Sequence, residues 1–248
     1  MNVSYININD IPSKLFKADN SHGTVLAVHG FGGSKESGAI TGLAERVCPK
    51  GYNVLAIDLP AHGERSGGAE QLDPMRCIEE IIAAEKYILS NLTDDIYAFA
   101  TSFGGMCMLH RIEKHSHGFK KIVLRVPAVN MAYSLFAISK GCDPSLTQEK
   151  AQANGFRIEM GREYLIPYAF YEKLAEMHCL RSSDAWNNSD ILTVWAENDE
   201  LVQPSDTQEY LRLNPVMQCV CIKGSGHRMA EPQHLNTALD AAAAFLLK

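Results

Sequence analysis

The sequence predicts an α/β fold, one mostly parallel sheet of eight strands with helices on both faces. Short apolar, β-branched runs alternate with longer stretches of helical period, the signature of strands returned in parallel by crossover helices. The alternation breaks only once, over about 60 residues in the second half of the chain. The length of 248 residues and an apolar content of 46% allow a sizeable core without disulfides or a structural metal. A typical domain of about 150 residues would leave the count between one and two, but large α/β units reach this size alone.

In chain order, strands are expected at 3–8 and 14–18, separated by a turn around Asp10 and Pro12. Strands at 24–29 and 53–57 follow, with a helix over 36–48 between them that ends at Pro49-Lys50-Gly51. After a polar, Gly-containing loop at 62–68, residues 73–91 form an amphipathic helix. Asp73 and Pro74 suit its cap and first turn, and Ile78, Ile81, Ile82, Tyr87 and Ile88 recur at helical spacing. A strand at 96–100, a helix at 103–115 and a strand at 121–126 continue the pattern. Residues 127–188 hold no clean strand and many aromatics, including Tyr133, Phe136, Tyr164, Phe170 and Trp186. A structureless loop that long is improbable in a compact domain, so this insertion should carry helices of its own. Regular alternation resumes with a strand at 191–196, a helix at 205–213, a strand at 217–222 and a helix at 235–247. No internal repeat or low-complexity segment is present.

Composition excludes several functions. The formal charge of −6 gives no electrostatic reason to hold phosphate backbones, so no nucleic-acid partner is expected. Seven scattered cysteines without a CxxC pair read as free thiols in a reducing compartment, not as a disulfide framework or zinc site. The first 20 residues lack a basic start followed by an apolar core, and the uncharged stretch 126–139 is too short to span a bilayer. A soluble, cytoplasmic protein without stable membrane attachment is expected.

Four segments could carry chemistry. Ala100-Thr101-Ser102-Phe103-Gly104-Gly105 lies directly between a strand and a helix. A serine on so tight a turn projects its hydroxyl above the sheet, and small neighbours are needed because the backbone is crowded. Gly104 is small, while Ala100 stands where Gly is usual; the plain alternative is a helix-capping serine. His29-Gly30-Phe31-Gly32-Gly33-Ser34 follows a strand, and its glycines let backbone N–H groups face a ligand oxygen. The alternative there is a connecting turn; neither phosphate-loop spacing is present, and His29 itself reads as structural. Next is the acidic loop Glu197-Asn198-Asp199-Glu200, and last is Gly224-Ser225-Gly226-His227. Each alone is ordinary, a solvated loop and an inert histidine. Together, Ser102, an acid and His227 each sit just past the C-terminal end of a separate strand, where open α/β sheets build their sites.

At these residues the sequence resembles the α/β-hydrolase superfamily over almost the whole chain. Asp58-Leu59-Pro60-Ala61-His62-Gly63-Glu64-Arg65-Ser66 also looks like that superfamily's D-x-x-G-H-G-x-S loop, with Ala61 replacing the usual Gly; it is read as scaffolding. The HGFGGS loop and the single insertion are similar to small bacterial esterases, a group that includes cinnamoyl and feruloyl esterases, monoacylglycerol lipases and serine-aminopeptidase-like enzymes. A Ser nucleophile separates the chain from dehalogenase-type members, which use Asp, and dienelactone-type members, which use Cys.

The resemblance implies one hydrolase domain over residues 1–248, with a short helical lid at 127–188 inserted after the sixth strand. It implies Ser102 as nucleophile, His227 as base and Asp199, rather than the neighbouring Glu197 or Glu200, as the acid that orients the imidazole. The backbone N–H groups of Phe31 and Phe103 would form the oxyanion hole. No metal or organic cofactor is called for. The implied partner is a small-molecule acyl ester, cleaved through an acyl-enzyme intermediate. The same triad could serve an aminopeptidase, amidase, thioesterase or acyltransferase, and a non-catalytic binding protein on this fold is the third class.

Overall fold

The chain enters its sheet through a hairpin. Asn2–Ile8 (β1) and Ile11–Lys17 (β2) pair antiparallel around Asn9 and Asp10, whose φ angles of 48° and 67° are the left-handed pair that tight hairpins favour. The strand thus starts at Ile11, earlier than the expected residue 14. Pro12 is accommodated because its carbonyl accepts from the Asp58 N–H at 2.9 Å and the proline has no N–H to leave unpaired. The structure, a computed structural model, describes residues 1–65, 71–114, 116–160 and 162–248.

Gly23–Val28 (β3), Tyr52–Ile57 (β4), Ile96–Thr101 (β5) and Phe119–Arg125 (β6) supply the centre of the sheet. Between them run the helices Gly38–Val47 (α1), Pro74–Asn91 (α2) and Phe103–Lys114 (α3). A single 3-10 turn, Cys48–Lys50, ends the α1 segment. The cap expected for α2 is present, since the Asp73 carboxylate accepts from the Met75 N–H at 2.9 Å. His115, the expected last residue of α3, lies outside the described residues, as do Ser66, the end of the Asp58 block, and Gly67 and Gly68 of the loop after it.

Past β6 come Met131–Cys142 (α4), Gln148–Asn154 (α5), Phe156–Glu159 (β7), Glu163–Ile166 (β8), Tyr168–Glu176 (α6) and Asp184–Asn187 (α7). The main sheet then resumes with Ile191–Ala196 (β9), Pro204–Leu213 (α8), Gln218–Ile222 (β10) and Pro232–Leu246 (α9). The expectation of no strand in the insertion is corrected by β7 and β8, an antiparallel pair separate from the main sheet. Phe156, Ile158, Tyr164 and Ile166 alternate inward along it. Two four-residue strands are too short for a period of two to stand out against the surrounding aromatics.

The main sheet has eight strands in the order β1-β2-β4-β3-β5-β6-β9-β10, and only β2 runs against the direction of the other seven. The central strands are buried on both faces, and alternate residues serve different cores. Val25, Ala27, Phe99 and Val123 pack toward α1 and α9. Leu26, Val28, Ala98 and Leu124 pack toward α2, α3 and the insertion. The loops that follow β3, β4, β5, β6, β9 and β10 all leave the same end of the sheet, and the candidate site lies there.

Candidate active site

Ser102 occupies the turn between β5 and α3 with φ at 50°, a left-handed conformation that a non-glycine residue adopts at a cost of about 1 kcal/mol. The turn is held from β6: the Ser102 N–H donates to the Arg125 carbonyl at 2.9 Å, and the Ser102 carbonyl accepts from Ala128 N–H at 3.0 Å. The residue two beyond the serine must be glycine, because a Cβ on Gly104 would sit 2.4 Å from the His29 carbonyl oxygen. Ala100 needs no such space. Its methyl points into the core under α2 and α3 and is fully buried there.

His227 stands after β10 and Asp199 after β9, and both meet Ser102. His227 Nε2 lies 3.0 Å from Ser102 Oγ, and His227 Nδ1 lies 2.8 Å and 3.0 Å from the two Asp199 carboxylate oxygens. A carboxylate only accepts, so Nδ1 carries the proton and Nε2 is free to accept from the serine hydroxyl. All three side chains are buried, which keeps water from competing for these bonds. Asp199 is fixed in turn by the N–H groups of Leu201 and Val202 at 2.9 Å and 2.7 Å. The two neighbouring carboxylates are engaged elsewhere. Glu197 accepts from Lys223 Nζ and the Gly224 N–H, and Glu200 accepts from the His227 backbone N–H at 2.9 Å.

The loop after β3 reaches Ser102 from the other side. Its turn closes with a bond from Gly33 N–H to the Gly30 carbonyl at 3.0 Å. Gly32, with φ at 74°, passes so close to Met160 that a Cβ would lie 2.6 Å from the Met160 carbonyl oxygen. The backbone N–H groups of Phe31 and Phe103 find no acceptor among the described residues. His29 is a structural residue: Nδ1 donates to the Gly30 carbonyl, Nε2 accepts from the Leu59 N–H at 3.1 Å, and burial pushes its pKa below the usual imidazole value.

The Asp58 block braces this loop. Asp58, fully buried, accepts from Lys35 N–H at 2.7 Å, Lys35 Nζ at 2.8 Å and Glu64 N–H at 3.0 Å. His62 donates from Nδ1 to the Pro60 carbonyl at 2.7 Å, while Nε2 has no partner among the described residues. Burial, then the nearby His29, pushes the His62 pKa down to about 3, so the ring is neutral. It packs against Phe31 with ring centroids 4.9 Å apart. Phe31 also meets Phe103 at 5.6 Å and Tyr164 of the insertion at 5.0 Å, and Phe103 meets Phe170 of the insertion at 6.2 Å. These rings form one cluster that joins the loop after β3 and the start of α3 to the insertion.

A cavity of about 490 Å³ runs past Ser102 and His227 toward the start of α1, with Met160 at its rim and Arg125 within it. Among the described residues no cluster of three or more His, Cys, Asp or Glu side chains is placed to hold a metal ion.

Residues 19–152, more than half of the chain, match the profile of the serine aminopeptidase (S33) family. The chain belongs to that family. The S33 match spans the His29 loop, the Asp58 block and the Ser102 turn, while the structure brings in Asp199 and His227 from beyond it. No curated protein matches the chain. Among solved structures it is similar to Est1E from Butyrivibrio proteoclasticus with ferulic acid bound, at 18% identity and a TM-score of 0.77 over 98% of each chain. It is also similar to the esterase domain of a Rhodothermus marinus protein, at 15% identity and a TM-score of 0.70 over 100% of this chain and 98% of that one. The mouse α/β-hydrolase domain-containing protein 10 aligns at 13% identity with a TM-score of 0.73, over 99% and 98%. At such identities these matches establish a shared fold, and this S33 family member is an α/β-hydrolase.

Three contributors to the site were missed in the sequence. Arg125 follows the buried apolar run Ile122–Leu124 at the end of β6, and a charge in that place is a usable signal, since a buried cation needs a partner or a purpose. Met160 and Arg162 reach the site from the insertion, Arg162 by donating to the Ala61 carbonyl. Nothing in their local sequence announces that contact.

Proposed function

We propose that the chain is a serine hydrolase that cleaves carboxylic esters through an acyl-enzyme. The observation that carries this reading is the hydrogen-bond chain from Ser102 Oγ through the His227 ring to Asp199. His227 Nε2 takes the serine proton as Oγ attacks the carbonyl carbon, and Asp199 stabilises the imidazolium that forms. The Phe31 and Phe103 N–H groups receive the oxyanion, each worth about 3 kcal/mol in the transition state. The imidazolium then protonates the leaving oxygen. Water, deprotonated by His227 in the second half, attacks the acyl-enzyme and releases the acid.

Ester cleavage is favoured over aminopeptidase action by the charge of the cavity. An aminopeptidase must hold a free α-ammonium group, which calls for carboxylates nearby. Among the described residues the cavity beside Ser102 is lined by Arg125 and Arg228 and by no Asp or Glu. Est1E, which carries ferulic acid in its structure, makes a small-molecule acyl ester the fitting substrate class. The insertion at 127–188 acts as a lid, consistent with Met160 at the cavity rim and Tyr164 and Phe170 against the Phe31 loop. No described helix is long and apolar enough to cross a membrane. The seven free thiols fit a reducing, cytoplasmic setting.

The test is covalent labelling with a fluorophosphonate probe, alongside hydrolysis of p-nitrophenyl esters, arylamides and feruloyl esters. The wild type should label and cleave esters. Ser102→Ala should abolish labelling and lower esterase activity by about a millionfold. Full activity in that variant, or faster arylamide than ester cleavage by the wild type, would overturn the reading.

A further inference from the structure

Arg125 is a cation with little to do in the folded chain. Only 6% of it is exposed, and among the described residues its one hydrogen bond runs from Nη2 to the Arg228 carbonyl at 2.9 Å. Its Nε has no partner, and neither does the Oγ1 of Thr101, its register neighbour on β5. A guanidinium offers five N–H donors, so this one is held largely unsatisfied at the inner end of the cavity that opens beside Ser102. Burial pulls its pKa down to about 10, and the charge of nearby Asp199 opposes that, so it stays a cation at neutral pH.

The rest of the cavity has the same polarity. Ser37, which precedes α1, and its first residues, Gly38 and Ala39, also line it. Ser37 makes no side-chain capping bond, and no acidic residue stands in the first turn, so the positive end of this ten-residue helix faces the space uncompensated. The exposed Arg228 is the other cationic residue along the wall, and no carboxylate lies among the described lining residues.

The position of the cavity says which part of a substrate enters it. The imidazolium must hand its proton to the leaving oxygen, so the leaving group lies on the His227 side of Ser102. His227, Arg228 and Met229 form one wall of the cavity, and Phe31, whose ring packs on Phe103, lines it from the loop after β3. We infer that the leaving group carries a carboxylate that pairs with Arg125, which makes the substrate an acyl ester of a hydroxy acid. The inference rests on the proposed acyl-transfer reading and deepens it. In the reaction the ester C–O bond breaks, the acyl carbon bonds to Ser102 Oγ, and the hydroxy acid leaves with its oxygen protonated by His227 and its carboxylate unchanged.

Binding and turnover test it separately. In the Ser102→Ala variant, titration calorimetry should find 3-hydroxybenzoate bound about tenfold or more tightly than its neutral isostere 3-hydroxybenzamide, the preference expected of a buried charge-assisted pair. The wild type should likewise cleave 3-butyryloxybenzoate about tenfold or more efficiently in kcat/KM than 3-butyryloxybenzamide. Arg125→Gln should bring both ratios toward one, and Arg125→Lys should keep part of the preference. If Arg125 only balances the charge of Asp199, the Gln variant will slow both substrates alike and leave the ratio intact, which overturns the inference. Equal affinity for acid and amide in Ser102→Ala overturns it as well, and that comparison stands even if Arg125→Gln does not fold. Tight, selective binding of the acid by a chain that neither labels nor hydrolyses would instead leave the anion site standing and sink the esterase reading.

Discussion

Glu200 holds His227 by its backbone, accepting the His227 N–H at 2.9 Å, while Asp199 holds the ring. The two carboxylates, separated by one position in sequence, therefore have different electrical duties. Asp199→Asn presents the ring with an amide that favours the wrong tautomer, and kcat for p-nitrophenyl butyrate should fall about ten-thousandfold. Glu200→Gln keeps an oxygen to accept the backbone N–H, and kcat should stay within about tenfold of the wild type. Equal losses in the two variants would reverse the assignment of the acid.

The approach of Gly104 to the His29 carbonyl ties the serine turn to the loop after β3 at a distance no methyl can share. Gly104→Ala should destabilise the fold by about 1–3 kcal/mol in urea unfolding and reduce the rate of fluorophosphonate labelling. At Ala100 the direction is reversed. Ala100→Gly removes a buried methyl from a strand and should cost about 1 kcal/mol without slowing labelling.

His62 makes stability depend on pH. Its folded pKa, about 3, lies below the ordinary 6.5, so between those values the unfolded chain binds the extra proton. Stability from this group is thus complete above pH 6.5 and declines as pH falls toward 3. Between pH 7 and pH 5 it should account for about 2 kcal/mol of lost unfolding free energy. Urea unfolding at the two pH values should show a smaller loss in His62→Phe, whose ring remains in the aromatic cluster but cannot titrate. An unchanged slope in that variant would remove His62 as the source.

The sheet was legible because its strands are buried on both faces and its helices on one, so composition itself marks the elements. The expected strands and helices agree with the observed ones to within a few residues, even at Asp73, where a side chain caps the helix. Ser102, Asp199 and His227 were legible for a related reason: each follows a recognisable strand, and strand ends converge in this architecture. The insertion was not legible in the same way. Its β7–β8 pair depends on packing Phe156 and Ile166 beneath neighbouring helices, a tertiary effect without a long enough local period. Arg125 shows another limit. The sequence places a charge at the end of a buried strand, but only the assembled cavity shows that so few of its donors are used.

The two residues whose N–H groups are assigned to the oxyanion, Phe31 and Phe103, turn their rings into a largely edge-to-face cluster completed by Tyr164 and Phe170. The backbone proposed to serve the reaction is thus shimmed by side chains borrowed from the most variable kind of segment a fold carries. A chimera that receives the corresponding insertion of another hydrolase inherits new shims along with a new pocket. Altered taste for substrates and altered turnover would arrive together in such a graft, and restoring the two rings of the insertion, Tyr164 and Phe170, is the first repair to make.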